Sequence, residues 1–238
     1  MAATIQLSEN DSAVLGALFD PEASLSNSVK IDPAIPSESG MAGFRKIQEQ
    51  EHAALLPINV ERPSLNDIDI AISKLNLIVE SCPRYASAWN NRAQATRMKY
   101  EIENLPDHPD ALRSIANDLA QAIRLTTPAS PAAAVPEVDA KVLASAHTHR
   151  AYLFLAASRS EKLAKAVMKS FEGLGQLDRE QLEETASREF ALGGRYGNEI
   201  ARQLGVKTNP YAKLCGSIVR EAMQKEIADH SRDTARIV

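Results

Sequence analysis

Residues 86–97 read ASAWNNRAQATR, residues 114–128 read SIANDLAQAIRLTTP, and these two stretches decide the fold. In the first stretch, the aromatic Trp89 is followed four positions later by the small residue Ala93. In the second, apolar residues recur at offsets of four and three, on one face of an α-helix, at Ile115, Leu119 and Ala122. Small residues at fixed points of two successive helices indicate a helix pair with closely spaced axes.

The same pattern occurs on both sides of this pair. The preceding helix has the same offsets at Ala71, Leu75 and Ile78, and Pro83 ends it. A third unit pairs one helix carrying Ala151 with another carrying Ala186, Phe190 and Gly193. This spacing is typical of tetratricopeptide repeats, in which helix pairs stack into a solenoid. We therefore predict three repeats, at residues 43–83, 86–128 and 142–194.

The predicted fold class is all-α, a short tetratricopeptide-repeat solenoid with an inserted helix and a C-terminal capping helix. No run of residues alternates apolar and polar side chains, so no strand is predicted. A short N-terminal helix and a flexible arm (1–40) precede the repeat domain (41–230), which includes capping helices (195–230), and a tail follows (231–238). The positions predicted to define the repeats are Ala71, Pro83, Trp89, Ala93, Leu119, Ala122, Ala151, Ala186 and Phe190.

Composition and charge limit the classes of partner. The chain has 238 residues and a formal net charge of -4, which disfavours nucleic acid or an anionic membrane surface as the main partner. No apolar stretch approaches the roughly 18 to 20 residues of a membrane span, and the N-terminus has no basic, apolar signal pattern. Two cysteines, Cys82 and Cys215, are too few for a disulfide framework. We expect a cytoplasmic monomer, with the nucleus as an alternative location.

The leading helices of the repeats should present a polar groove for a peptide or a protein surface. Its amide and hydroxyl groups could form hydrogen bonds with a peptide backbone. In the alternative interpretation, Asn91 packs between repeats. The predicted groove residues are Asn90, Asn91, Gln94, Arg97, Ser145, Thr148, His149 and Tyr152.

Neither a metal nor a cofactor is predicted, and no residue is assigned a catalytic role. His147 and His149 lie two positions apart on a helix, so their side chains point about 200° from each other and cannot share one ion. The acidic residues Glu183, Glu184 and Glu189 are interpreted as a solvated helix face.

Three segments carry a closer resemblance. NDSAVLGALFDP (10–21), YASAWNNRAQATR (85–97) and ASREFALGGRYGNEIARQLGVKTNPYAKLC (186–215), with the helix after it, resemble the tetratricopeptide repeat protein 36 family, and NPYAKLC (209–215) is the most specific part. The resemblance implies a non-catalytic cytosolic adaptor, associated with an Hsp70-type chaperone and with tyrosine metabolism. Repeat domains that bind the chaperone's C-terminal carboxylates use a five-residue clamp. Here only Asn91 matches it, because Ser145 and His149 occupy the third-repeat places and the first repeat lacks the Lys–Asn pair.

Two other classes of function stay open. The chain could regulate a metabolic enzyme, or be a small helical enzyme, through the surface around His149 and Tyr152. Alternatively, the apolar stripe of the C-terminal helix could make it a structural oligomer.

Overall fold

The computed structural model describes residues 29–36, 45–130, 133–209, 221 and 223–225. Most of the described residues between 45 and 208 are helical, and the all-α prediction is confirmed. The helices are α1 (Arg45–Leu55), α2 (Leu65–Ser81), α3 (Ala86–Met98), α4 (Pro109–Thr126), α5 (Glu137–Ala157), α6 (Glu161–Ser170), α7 (Arg179–Arg195) and α8 (Glu199–Thr208). Short 3₁₀ helices occupy Leu56–Ile58 and Ile102–Asp107.

Local sequence explains where several helices begin. The side chain of Ser64 accepts a hydrogen bond from the backbone N–H of Asp67, which caps α2. Asp178 and Gln181 form a reciprocal capping box at the start of α7. Helix α4 begins at Pro109, because proline at the first turn sacrifices no helical hydrogen bond.

The helices pack as pairs, α1 with α2, α3 with α4, and α5 with α7, and α6 is the insertion within the third pair. Most of the positions predicted to define the repeats are fully buried. The two exceptions are Trp89, which is half-buried, and Pro83, which is exposed, and the indole N–H of Trp89 donates to the carbonyl of Pro83. The buried positions are Ala71, Ala93, Leu119, Ala122, Ala151, Ala186 and Phe190. Small side chains at these points allow the helix axes to approach closely.

Two glycines bring α7 against its neighbours. A Cβ atom at Gly193 would lie 2.5 Å from Thr148 Oγ1 of α5, and one at Gly194 would lie 2.7 Å from Arg202 Cα of α8. Both distances are shorter than van der Waals contact, so the packing of α7 between α5 and α8 depends on the absence of side chains at these two positions.

One short strand pair lies outside the helical prediction. Ile31–Asp32 (β1) pairs in parallel with Val135–Pro136 (β2), and the nearby Val29 is buried against Val135 and Leu143. The sequence predicts no strand here, because two residues within a Ser- and Pro-rich arm carry no periodicity. This part of the predicted arm is therefore docked on the third repeat.

Several predicted features fall outside the described residues. These are the helix predicted near Asp11 to Phe19 and most of the C-terminal capping helix, together with NPYAKLC from residue 210 onward. Among the helices that are described, none combines the length and the apolar character that crossing a membrane would require.

Candidate groove site

A cavity of about 720 Å³ lies between α3, α5 and the turn that joins α7 to α8. Six of the eight predicted groove residues line it, namely Gln94, Arg97, Ser145, Thr148, His149 and Tyr152. Apolar walls come from Met98, Ile102 and Leu153, and Tyr196 closes one side. The structure thus brings most of the predicted residues to one place, which is a local cavity at one end of the face formed by the leading helices.

Asn91 is engaged between repeats and does not line the cavity. Its Nδ2 atom donates to Oε1 of Glu51 on α1 at 2.8 Å, and the hydroxyl of Tyr85 donates to Oε2 of the same carboxylate at 2.6 Å. Burial and the Glu51 carboxylate raise the pKa of Tyr85. Glu51 is itself buried, although nothing in the sequence marked it as such. Asn91 therefore ties α3 to α1.

Ser145 receives two hydrogen bonds from α3. Asn90 Nδ2 donates to its Oγ atom at 3.2 Å, and Gln94 Nε2 donates to it at 2.6 Å. Asn90 is buried, and the lining of the cavity does not include it. These bonds fix α3 against α5 and form the polar floor of the cavity.

Thr148 connects the cavity to α8. Its hydroxyl donates to the carbonyl of Ala144 at 2.6 Å and accepts from Asn198 Nδ2 at 3.1 Å. Asn198 also caps α8, because its Oδ1 accepts the backbone N–H of Ala201. The predicted groove residue Thr148 thus positions the turn that closes the cavity.

His149 differs from these engaged side chains. It is 8% exposed, and neither ring nitrogen has a hydrogen-bond partner among the described residues. Burial, with a smaller contribution from the positive charge of Arg97, lowers the pKa of His149 from 6.5 to about 4. The ring is therefore neutral at physiological pH, with one N–H donor and one acceptor nitrogen, both buried and without a partner among the described residues.

Arg97 and Tyr152 present the remaining functional groups of the cavity. Arg97 is half-buried, and its guanidinium has no ion pair or hydrogen bond within the part of the chain that the structure describes. Tyr152 is 45% exposed, and its ring packs edge-on against Phe190 at 5.2 Å between centroids. Lys141 lies at the rim, where it pairs with Glu137 at 2.7 Å.

The prediction of a solvated face containing Glu189 is wrong. Glu189 is buried, its Oε2 atom lies 2.8 Å from His147 Nδ1, and its Oε1 lies 3.0 Å from Arg150 Nη2. The spacing along the helix indicates this burial, because Glu189 follows Leu182 by seven positions and Ala186 by three and therefore lies on the same apolar face. A partner on α5 is what allows this carboxylate to be buried.

Two further sequence signals concern metals and buried charge. Within the described ranges, no group of three or more His, Cys, Asp or Glu side chains lies close enough together to hold a metal ion.

Sequence reasoning also missed Asp118, which is buried on α4 and paired with Arg92 of α3. Asp118 lies on the same apolar helix face as Ile115 and Ala122, and this position again indicates that its side chain is buried.

Known proteins resemble the chain over nearly its whole length. It is 41% identical to the L-tyrosine degradation gene cluster protein hmgX of Aspergillus fumigatus, over 93% of each chain. It is 25% identical to tetratricopeptide repeat protein 36 of Mus musculus, over 90% of this chain and 92% of that protein. It is 24% identical to the tetratricopeptide repeat protein 36 homolog of Drosophila melanogaster, over 94% and 97%. No family model and no solved structure matches the chain.

Proposed function

Because the chain belongs to the tetratricopeptide repeat protein 36 family, we propose that it is a non-catalytic scaffold that binds a protein partner through the face formed by α1, α3 and α5. One observation carries this proposal. The leading helices of the three pairs are fastened side by side, α1 to α3 through Glu51 and Asn91, and α3 to α5 through Gln94 and Ser145. Three helices held in fixed register provide a rigid surface, which reduces the entropic cost of binding a partner.

The environment of His149 supports binding over catalysis. A histidine that acts as a general base or activates a nucleophile needs a hydrogen-bonded partner that orients it and a hydroxyl or thiol within reach. Within the described chain, neither ring nitrogen of His149 has such a partner. The alternative of a small helical enzyme at His149 and Tyr152 is therefore the weaker proposal.

The process in which the scaffold acts follows from a relative. The Aspergillus protein is named for an L-tyrosine degradation gene cluster, so we propose that the partner is an enzyme of L-tyrosine degradation. On this proposal the scaffold holds or regulates that enzyme.

An Hsp70-type chaperone is a second candidate partner, from the resemblance described above. The clamp position that this chain retains is Asn91, and its amide already donates to Glu51 and packs between helices. A chaperone tail bound in the standard manner would have to displace that bond. We therefore rank the chaperone behind the enzyme as a partner.

Affinity capture with a matched pair of charge reversals tests the proposal. The bait is the full-length chain, and the extract comes from cells in which L-tyrosine degradation is induced. Arg97→Glu changes the charge in the cavity, whereas Arg113→Glu changes an arginine on α4 whose side chain is 55% exposed. We expect the wild type and Arg113→Glu to capture an enzyme of the pathway, and Arg97→Glu to recover at least about tenfold less.

Two results would refute the proposal in different ways. If none of the three baits captures an enzyme of the pathway, the link to L-tyrosine degradation is wrong. If all three capture the same enzyme equally, the groove is not the binding surface. Location in the cytoplasm and a monomeric state stay predictions from the sequence, which imaging of a tagged chain and light scattering can check.

A further inference from the structure

The groups in the groove without partners are concentrated in its cavity. Outside the cavity, the amide nitrogens of Asn91 and Asn90 already donate to Glu51 and Ser145, and the Oδ1 atom of Asn90 is buried. Within the cavity, Gln94 also donates to Ser145. Within the cavity, the described residues leave both ring nitrogens of His149 without partners. An extended peptide needs a row of free donors and acceptors, whereas these groups are collected at one point.

The charge of the residues that line the cavity favours an anionic ligand. Arg97 lines the cavity with no ion pair in the described part of the chain, whereas Lys141 at its rim is paired with Glu137. None of the described lining residues is acidic, in a chain whose formal net charge is -4. A half-buried guanidinium without a carboxylate partner is unusual, because desolvating a charge is costly unless an opposite charge compensates for it.

The head group that these donors fit is a carboxylate. Arginine presents two parallel N–H groups that match the two oxygens of a carboxylate, and the N–H of a neutral histidine can donate to one of those oxygens. His149 is 8% exposed and both of its ring nitrogens are buried, so a ligand oxygen would reach its N–H only when the ring turns toward the cavity, and it would then satisfy a donor that the described residues leave without a partner.

The walls of the cavity select the body of the ligand. Met98, Ile102, Leu153 and the ring of Tyr196 line the space beside the two polar groups. A volume of about 720 Å³ lies within the range of roughly 300–1,000 Å³ that is usual for small-molecule sites. An apolar, ring-sized group next to the carboxylate would occupy part of this space and cover the apolar walls beside it.

We propose that this cavity is a binding site for a small organic carboxylate with an apolar body, whose carboxylate pairs with Arg97 and accepts a hydrogen bond from His149. The site goes beyond the scaffold function and does not depend on it, because the ligand binds the chain without a partner protein. A bound carboxylate would occupy the end of the face formed by the leading helices, where it could control access of a partner.

Calorimetric titration of the purified full-length chain tests the proposal directly. The probes are benzoate, phenylacetate and 3-phenylpropionate, which share the carboxylate and differ in the length of the body. The amide of each acid is the uncharged control, and acetate is the control that lacks the body. We expect at least one of the three acids to bind with 1:1 stoichiometry, at least about tenfold more tightly than its amide and than acetate.

Two variants locate the site. Arg97→Gln removes the charge and should weaken binding of the acid at least about tenfold, whereas Arg113→Gln removes an exposed charge on α4 and should leave binding unchanged. Thermal unfolding of both variants checks that they fold. As a measurement that needs no variant, the ring resonances of His149 in the wild type should shift on titration with the acid and stay unchanged with the amide.

Three results would overturn the proposal of a carboxylate site. Absence of binding by all three acids up to about 10 mM would overturn the proposal, since such weak affinity is below that of a specific site. Equal binding of acid and amide, or full binding by a folded Arg97→Gln variant, would also overturn it. None of these results bears on the capture experiment, so failure of this inference and failure of the scaffold function can be told apart.

Discussion

Replacing Arg92 with methionine should destabilise the fold strongly, although the residue does not line the cavity. Its Nε and Nη2 atoms donate to the two carboxylate oxygens of Asp118 at 2.8 and 2.6 Å, and its Nη1 donates to Asn76 at 2.9 Å. The side chain of Asp118 is only 1% exposed. Arg92 therefore joins α2, α3 and α4, and the carboxylate of Asp118 depends on it for compensation of its charge.

The expected cost follows from this burial. Methionine keeps most of the arginine stem and removes the charge, which leaves Asp118 buried without a counter-ion. Removal of one partner from a buried ion pair costs about 3–5 kcal/mol, whereas the same change in an exposed pair costs about 0–1 kcal/mol. The matched control is Arg113→Met, which breaks an exposed pair with Asp110 on α4.

The pH dependence gives this prediction a second, independent check. Burial raises the pKa of Asp118, and the hydrogen bonds from Arg92 oppose that rise. In Arg92→Met only the rise remains, so folded Asp118 binds a proton more tightly than unfolded Asp118 does. The variant then loses stability as the pH increases through the raised pKa, and its deficit against the wild type should be smaller near pH 4 than at pH 7.

Urea unfolding at both pH values measures these differences. The double variant Arg92→Met, Asp118→Leu should recover part of the loss, because it no longer buries an unpaired charge. A deficit at pH 7 within about 1 kcal/mol of that of Arg113→Met would refute the reasoning. A deficit that is the same at both pH values would show that Asp118 is not the group responsible.

Two further predictions concern the third repeat. Acidification from pH 6.5 to about 4 should remove about 3 kcal/mol of stability through His149, because its pKa is lowered on folding and the unfolded chain takes up the proton that the buried ring does not. Urea midpoints measured against pH should fall less steeply in His149→Asn, and parallel curves would assign the loss to another group. Gly194→Ala should cost about 1–3 kcal/mol despite its better helix propensity, because the new Cβ would meet the backbone of Arg202. Gly205→Ala, whose Cβ would lie 3.2 Å from its nearest neighbour, should cost less in thermal unfolding, and a higher melting temperature for Gly194→Ala would contradict this account.

The helices and their pairing could be predicted because they depend on spacing along one chain. Small and bulky residues at offsets of four and three, such as Ala71 and Leu75, identify a face that must be buried whichever partner covers it. The pair β1–β2 could not be predicted in the same way. Its register joins Ile31 to Val135 across more than a hundred positions, and neither two-residue strand has a periodicity of its own.

Which polar residues are buried could not be predicted from spacing alone. Glu189 and Asp118 each lie on an apolar helix face, where a charge is tolerated only if another helix supplies its partner. Arg150 on α5 and Arg92 on α3 are those partners, and both contacts exist only in the folded chain. The same limit applies to the groove. The sequence could predict that Asn91 lies on the face formed by the leading helices, but it could not predict that its amide donates a hydrogen bond to Glu51.

Arg92 and Arg97 lie five positions apart on α3, and their guanidinium groups have different surroundings. Arg92 points between α2 and α4, where Asp118 accepts hydrogen bonds from two of its nitrogens and Asn76 accepts one from the third. Arg97 lines the cavity, where the described residues supply no carboxylate. The described part of the chain thus leaves the Arg97 guanidinium without an ion pair and the neighbouring His149 ring without a hydrogen bond, and an anion that binds from solution would compensate the charge of Arg97.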